Sequence, residues 1–253
     1  MLKTAIVRRP CENMVQGISN GKQGVPDYSI ATEQHNQYIQ ALEKCGLQVT
    51  ILEKNNTFPD SVFIEDTAVL TREVAIVTNP TPKSRKEEVA GIISTLKQHY
   101  KTIEYIAAPG TLEGGDIMHV GDTFYIGRSA RSNDDGIRQF KKIVTKHGYN
   151  PVTVELPDIL HLKTGVSYLG NNVLLITEQL KDNPAFSSFK KIIAEEPEAH
   201  AANSLNINGN ILIPKGCPST LKKIENEVFN VTELDISEFM KLDGGLSCMS
   251  LRT

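Results

Sequence analysis

Phe58-Pro59-Asp60-Ser61-Val62-Phe63-Ile64-Glu65-Asp66-Thr67 sets three carboxylates among Val62, Phe63 and Ile64. A β-type run, Gln48 to Leu52, lies upstream. Ala68-Val69-Leu70 and Ala75-Ile76-Val77-Thr78 lie downstream. A proline at position 59 suits a strand edge or a turn, not a central strand. The stretch therefore reads as a strand end that opens into a pocket. Carboxylates among apolar residues are unfavourable to bury unless each finds a cation or a donor, and a bound cationic ligand would satisfy them. A solvated turn or an N-cap cluster accounts for the same composition, because charged groups are mostly on the surface.

Working outward, short strands and helices alternate. The first strand centres on Ala5 to Val7. Arg9 to Pro26 is a glycine-rich loop long enough to be a lid or a plain surface connection. Ala31 to Cys45 reads as a helix, with Ile39, Leu42 and Cys45 at helical spacing and Gly46 as its stop. Lys83 to His99 reads as a second amphipathic helix, and Arg85 at its start is by default a solvated first-turn residue. After a strand at Thr102–Ala107, Glu113-Gly114-Gly115-Asp116 marks either an ordinary turn or a tight path where something approaches the backbone closely. Ile117–Val120 and Thr123–Ile126 form a hairpin around Gly121-Asp122. Arg128 and Arg131, exposed by default, lead into a helix that runs to Lys146. Val152–Leu156, Val173–Thr177, Ile211–Pro214 and Val231–Leu234 read as strands. Phe186–Ala194 and Ser219–Asn230 read as helices.

The alternation recurs with a period of roughly 50 residues, in about five units without a linker, as expected of α/β modules arrayed around one centre. A doubly wound sheet would also alternate, but no Gly-x-Gly-x-x-Gly follows the first strand.

Composition narrows the function. At 253 residues the chain can bury a full-sized core, and 40% hydrophobic with 23% charged residues is ordinary for a soluble domain. A net charge of −3 offers no broad basic surface, which argues against nucleic acid or an anionic membrane as main partner. No signal peptide is read at the N-terminus, and no apolar run approaches the roughly 20 residues that span a bilayer. Cys11, Cys45, Cys217 and Cys248 form no Cys-x-x-Cys pair, so no zinc knuckle or dithiol motif is visible. A cytoplasmic location with free thiols follows. His161, flanked by Leu160 and Leu162, is either a packed core histidine or a catalyst. Cys248, near Gly244-Gly245, is either a buried small hydrophobe or an accessible thiol.

Four separated motifs carry a resemblance: Phe58 to Thr67, Leu112-Glu113-Gly114-Gly115-Asp116, Leu160-His161-Leu162-Lys163 and Asp243-Gly244-Gly245-Leu246-Ser247-Cys248. Together, in this order, they resemble the bacterial type of the dimethylarginine dimethylaminohydrolase family, within the guanidino-group-modifying (pentein, amidinotransferase) superfamily. Asn13 to Gly17, Glu33 to Asn36, Ala108 to Thr111 and Ala201-Ala202-Asn203 extend the likeness along the chain.

The resemblance implies a five-bladed α/β propeller, a pseudo-fivefold repeat of strand-helix modules over 1–253 as a single domain, with the active site in the central channel. It implies Cys248 as nucleophile, His161 as general acid/base and Glu113 as the acid orienting the histidine. It implies Asp66 with Glu65 as the guanidinium-binding pair, and Asp60 lining the same pocket. Arg85 and Arg131 would bind the substrate α-carboxylate. Gly17–Gly24 would form the lid, with Ile18 offering a backbone carbonyl to the substrate amino group. A leucine is common there, a mild departure that bears on lid packing. The implied partner is a small guanidino amino acid, with no cofactor, no metal and a homodimeric assembly. The neighbouring readings are an arginine deiminase-like hydrolase and a non-catalytic amino-acid-binding propeller.

The chemistry accounts for these residue types. The guanidinium carbon is a poor electrophile, and a covalent cysteine route divides its hydrolysis into two easier steps. One imidazole can serve both halves. The carboxylates that hold the cation also disfavour a thiolate, so Cys248 should lack a strongly depressed pKa in the empty site, and substrate should help to ionise it.

Overall fold

The computed structural model describes residues 1–21, 23–227 and 229–253. In chain order the elements are β1 (Thr4–Arg8), α1 (Tyr28–Lys44), β2 (Gln48–Leu52), β3 (Ala68–Leu70) and β4 (Ala75–Val77), then α2 (Ala90–His99) and β5 (Ile103–Tyr105). There follow β6 (Ile117–Val120), β7 (Thr123–Arg128), α3 (Asp134–Lys146), β8 (Asn150–Glu155), α4 (Leu162–Gly165), β9 (Val166–Gly170), β10 (Val173–Thr177) and β11 (Lys190–Ala194). The chain ends with β12 (Leu205–Ile207), β13 (Asn210–Pro214), α5 (Pro218–Glu225), β14 (Asn230–Leu234), α6 (Ser237–Met240) and β15 (Leu251–Arg252).

Among the described residues the strands form five three-stranded sheets of one design. In each, the first strand pairs antiparallel to the middle one, and the middle one pairs parallel to the last: β3-β4-β5, β6-β7-β8, β9-β10-β11 and β12-β13-β14. The fifth sheet joins the chain ends. β15 pairs antiparallel to β1, with Ala5 opposite Arg252, and β1 pairs parallel to β2. A parallel pair needs a crossover. α1, α2, α3 and α5 supply it in four modules. This is the five-module α/β repeat expected from the sequence.

Local chemistry sets the helix bounds. α1 begins before the expected Ala31 because Asp27 accepts a hydrogen bond from Ile30 N, and the helix buries Ala31, Tyr38, Ile39 and Leu42. Asn133 caps α3 in the same way, through Gly136 N.

Three expectations are corrected. Lys83–Val89 is a 3₁₀ segment, and only Ala90–His99 is α-helical. Residues three apart eclipse in a 3₁₀ turn, which brings Arg85 and Glu88 to one buried face. Lys190–Ala194 is a strand, not part of a helix, because its alternating buried residues Ile192 and Ala194 extend β10 in parallel register. The crossover of that module shrinks to a 3₁₀ turn at Pro184–Phe186. α5 starts at Pro218 and stops at Glu225, and the remainder of the expected Ser219–Asn230 helix includes Val228, outside the described residues. Among the described residues no helix is long and apolar enough to cross a membrane.

Candidate active site

Each module places a short helical turn directly before its first strand. The turns are Ile64–Thr67 before β3, Gly114–Asp116 before β6, α4 before β9, Ala199–Ala202 before β12 and Ser247–Met249 before β15. Because β15 closes the ring onto β1, the turn carrying Cys248 meets the turns of the other modules. A cavity opens among them, lined by Ile18, Asp60, Asp66, Arg85, Arg131, His161 and Cys248.

His161 Nε2 donates to Glu113 Oε2 at 2.8 Å, and Glu113 is fully buried. Glu113 also accepts from Thr81 N at 2.9 Å and from Arg131 Nη1 at 3.4 Å. Asp66 accepts from Arg85 Nη1 at 2.6 Å and from Gly115 N at 2.9 Å. Gly115 has to be glycine, because a Cβ there would lie 2.6 Å from His161 Nδ1 and 3.1 Å from Asp66 Oδ1. The paired glycines of that motif thus let the imidazole and the carboxylate approach the backbone. Gly114 is as tight, with a virtual Cβ 2.0 Å from Glu65 O.

Charge sets the protonation states. Burial pulls His161 down, but Asp66, the Glu113 hydrogen bond and Asp116 outweigh it and raise its pKa to about 9. Burial opposes ionisation of Asp66, yet His161 and Arg85 hold it at about 2. Burial, then the charges of Glu65 and Asp66, push the Cys248 thiol up to about 12. The empty site therefore pairs an imidazolium with a neutral thiol at neutral pH, the direction anticipated from the carboxylates around the sulfur. Asp66, Glu113 and His161 offer ligand atoms within 4.8 Å of one another. Their charges are already balanced by contact with one another and with Arg85 and Arg131.

Other expected residues sit differently. Glu65 does not line the cavity: its carboxylate accepts from Lys163 Nζ at 2.5 Å, Arg252 Nη2 at 2.7 Å and Ser247 Oγ at 2.7 Å, beneath the floor. Arg85 is buried, and besides Asp66 it donates to Glu88 and to Phe63 O. Asp60 accepts from Ile18 N at 2.9 Å, which ties the expected lid to the pocket wall. Asn20 N and Nδ2 donate to Asp243 at 2.8 and 2.6 Å. Lys22, within the expected lid, lies outside the described residues.

Sequence reasoning gave no role to Lys163, Arg252, Asp116 or Asn203. Asp116 is fully buried and accepts from Ser129 Oγ, Ser132 Oγ and Leu162 N, while Ser132 Oγ in turn accepts from Glu113 N. It joins the Glu113 turn to the His161 turn. Its place in the Gly-Gly-Asp motif was the available signal. For Lys163 and Arg252 there was none, since their partner Glu65 is 98 and 187 residues away.

A family model described as N,N dimethylarginine dimethylhydrolase, eukaryotic, matches residues 19–252. The chain is 46% identical over 253 residues to N(G),N(G)-dimethylarginine dimethylaminohydrolase of Pseudomonas aeruginosa, covering 100% of both. The Streptomyces coelicolor protein of the same name is 32% identical, with 99% of this chain and 96% of the relative covered. A solved structure of the Pseudomonas aeruginosa protein, a cysteine-to-serine mutant complexed with citrulline, superimposes with a TM-score of 0.98 at 45% identity over 100% of both chains. The N-terminal domain of ArgZ, at 22% identity and a TM-score of 0.88, shares the fold over 100% of this chain and 98% of its own.

Proposed function

The chain belongs to the dimethylarginine dimethylaminohydrolase family, and on that footing we propose that it hydrolyses N-omega-methylated arginines. Asymmetric dimethylarginine and monomethylarginine yield citrulline plus dimethylamine or methylamine. The observation that carries the reading is the convergence on one cavity of a thiol, a carboxylate-bound imidazole and Asp66, with Arg131 at hand.

Asp66 accepts hydrogen bonds from the substrate guanidinium, using lone pairs that Arg85 and Gly115 leave open. Glu65 adds negative charge from below the floor. The cation offsets the carboxylate charge that holds Cys248 as a thiol, and the thiol releases its proton to solvent as the substrate seats. Sγ then bonds to the guanidinium carbon. With Nε2–H committed to Glu113, the proton on His161 Nδ1 goes to the departing amine as its bond to carbon breaks. A thiouronium remains on Cys248. Neutral His161 takes a proton from water, the oxygen bonds to the same carbon, and breaking the C–S bond releases citrulline. Arg131, with Arg85 behind it, faces the α-carboxylate, while Asp60 and the Ile18 carbonyl face the α-amino group. The end-to-end match to the relatives supports one domain over 1–253, and the family resemblance supports a cytoplasmic homodimer.

Product analysis tests the reading. Purified protein is incubated separately with asymmetric dimethylarginine, monomethylarginine and arginine, with Cys248→Ser as control. Citrulline with dimethylamine from the first, abolished in Cys248→Ser, is expected. Citrulline and ammonia from arginine alone would move the protein to the deiminases, and no product from any of the three would favour a binding propeller.

A further inference from the structure

Four of the five turns that meet at the cavity carry Asp66, Gly115 beside Glu113, His161 and Cys248. The fifth, Ala199–Ala202, is followed by Asn203, which is 5% exposed and has no part in the scheme above. We propose that Asn203 is a further catalytic residue: its side-chain amide donates to the Cys248 sulfur and, with the Gly245 N–H, forms a neutral two-donor cradle for the thiolate. The inference rests on the hydrolase reading and names a residue that reading leaves unused.

The geometry fixes which way the amide faces. Asn203 Oδ1 accepts from Ser247 N at 2.8 Å. A backbone N–H can only donate, so the oxygen must face it and the NH₂ must face the sulfur. Nδ2 stands 3.9 Å from Cys248 Sγ, and Gly245 N stands 3.4 Å from it. Hydrogen bonds shorten and strengthen when the acceptor is ionised, so the longer contact tightens as the thiolate forms. Gly245 completes the arrangement. A Cβ there would lie 2.4 Å from Asn203 Cγ and 2.6 Å from Nδ2, so the amide lies flat on a backbone without a side chain. Asn203 also lines a second cavity, together with Gly244 and Gly245.

Neutral donors suit this sulfur better than a cation would. The pocket has to accept a guanidinium, and a lysine or arginine against Sγ would repel it. Lys163 and Arg252, the cations near the floor, are turned onto Glu65. An amide and a backbone N–H favour the thiolate without opposing the substrate.

The test is the pH dependence of Cys248 alkylation by iodoacetamide in the free protein, a neutral probe that the carboxylates do not concentrate. It is run on the wild type, Asn203→Ala, Asn203→Asp and Gly245→Ala, beside kcat and KM for asymmetric dimethylarginine. Loss of the donor is expected to slow alkylation roughly tenfold at fixed pH, equivalent to a thiol pKa about one unit higher. Asn203→Asp, which keeps the acceptor for Ser247 N and adds a charge, should slow it further. Gly245→Ala should reproduce the effect by displacing the amide. kcat should fall at least as far, with KM within about twofold. Alkylation profiles superimposable on the wild type would overturn the proposal, even with a lower kcat, because Asn203 would then be only a prop for the turn. Should Asn203→Ala not fold, Asn203→Asp and Gly245→Ala carry the same measurement. Wild-type protein that alkylates at Cys248 with the expected pH dependence but gives no product from asymmetric dimethylarginine would instead sink the hydrolase reading itself.

Discussion

The wall of the cavity and its mouth are held by different forces. On the wall, Asp66, Glu113, Arg85 and His161 are almost fully buried, and each is bonded to at least one of the others. Beneath it, Glu65 receives Lys163, Arg252 and Ser247 together. At the mouth, Ile18 and Leu160 are 39% and 38% exposed, Asn20 reaches Asp243 through solvent-exposed bonds, and Arg131 meets Glu113 at 3.4 Å. Buried charges are strongly destabilised when one partner is removed, whereas exposed contacts contribute little and are screened by salt. The proposed reacting end is thus pre-organised by the protein's own charges, and the proposed recognising end is left to be completed by the substrate.

The comparison breaks most easily at Asp66. Asp66→Asn removes the proposed guanidinium acceptor and leaves Arg85 with one buried anion fewer, so kcat/KM should fall on the order of a thousandfold. A pH effect accompanies it. Asp66 is the largest influence raising His161, whose folded pKa of about 9 exceeds its ordinary 6.5. The stability that His161 contributes is therefore complete below about 6.5 and is lost as pH rises through about 9. In Asp66→Asn that window narrows from its alkaline side. Melting temperatures between pH 6 and 10 check this: an alkaline decline at the same pH in both proteins would show that the wall does not set the His161 charge.

How far the sequence revealed this arrangement depended on how far apart the partners lie. The hairpin of β6 and β7 was legible because its turn and alternation are local, and so was the five-unit alternation. Residue by residue, His161 and Cys248 stayed ambiguous between core and chemistry, and only the joint occurrence of four motifs pointed to a site. Arg85 was misread on local grounds as a solvated first-turn residue, because nothing near position 85 shows that Asp66 and Phe63 O lie against it. Lys190–Ala194 looked helical because a five-residue run, with a crossover reduced to Pro184–Phe186, is too short for periodicity to decide. Glu65 could not be separated from its neighbour Asp66. Its hold by Lys163 and Arg252 could not be read locally, because only the closed ring brings them near.

Arg131→Ala sharpens the comparison at the boundary between wall and mouth. Arg131 keeps one long contact to Glu113, so its guanidinium is the better placed of the two arginines to grip a carboxylate in parallel. Its loss should raise KM for asymmetric dimethylarginine roughly tenfold to a hundredfold, as expected of a hydrogen bond to a charged group, and change kcat much less. The wild type should bind arginine far better than agmatine, which lacks the carboxylate, and Arg131→Ala should bind the two alike. Retained discrimination by calorimetric titration would assign the grip to Arg85.

Asn20→Ala should have the smallest effect, and it probes the mouth alone. Asp243 adopts φ +56°, a left-handed conformation that a non-glycine residue holds only with support from its surroundings. Asn20 supplies part of that support through its backbone N and its Nδ2. The alanine variant keeps the first bond and loses the second. An exposed contact of this kind is worth a factor of about two- to fivefold, which should appear as a rise in KM with kcat nearly unchanged. Amide hydrogen exchange locates the change. Exchange at Ile18 and at position 20 should quicken, because these amides are held by Asp60 and Asp243 at the pocket edge. Exchange at Gly115, whose N–H is buried against Asp66, should not move, since local opening at an edge need not propagate into the wall. Faster exchange at Gly115 would mean that wall and mouth open as one unit, and the distinction between them would fail.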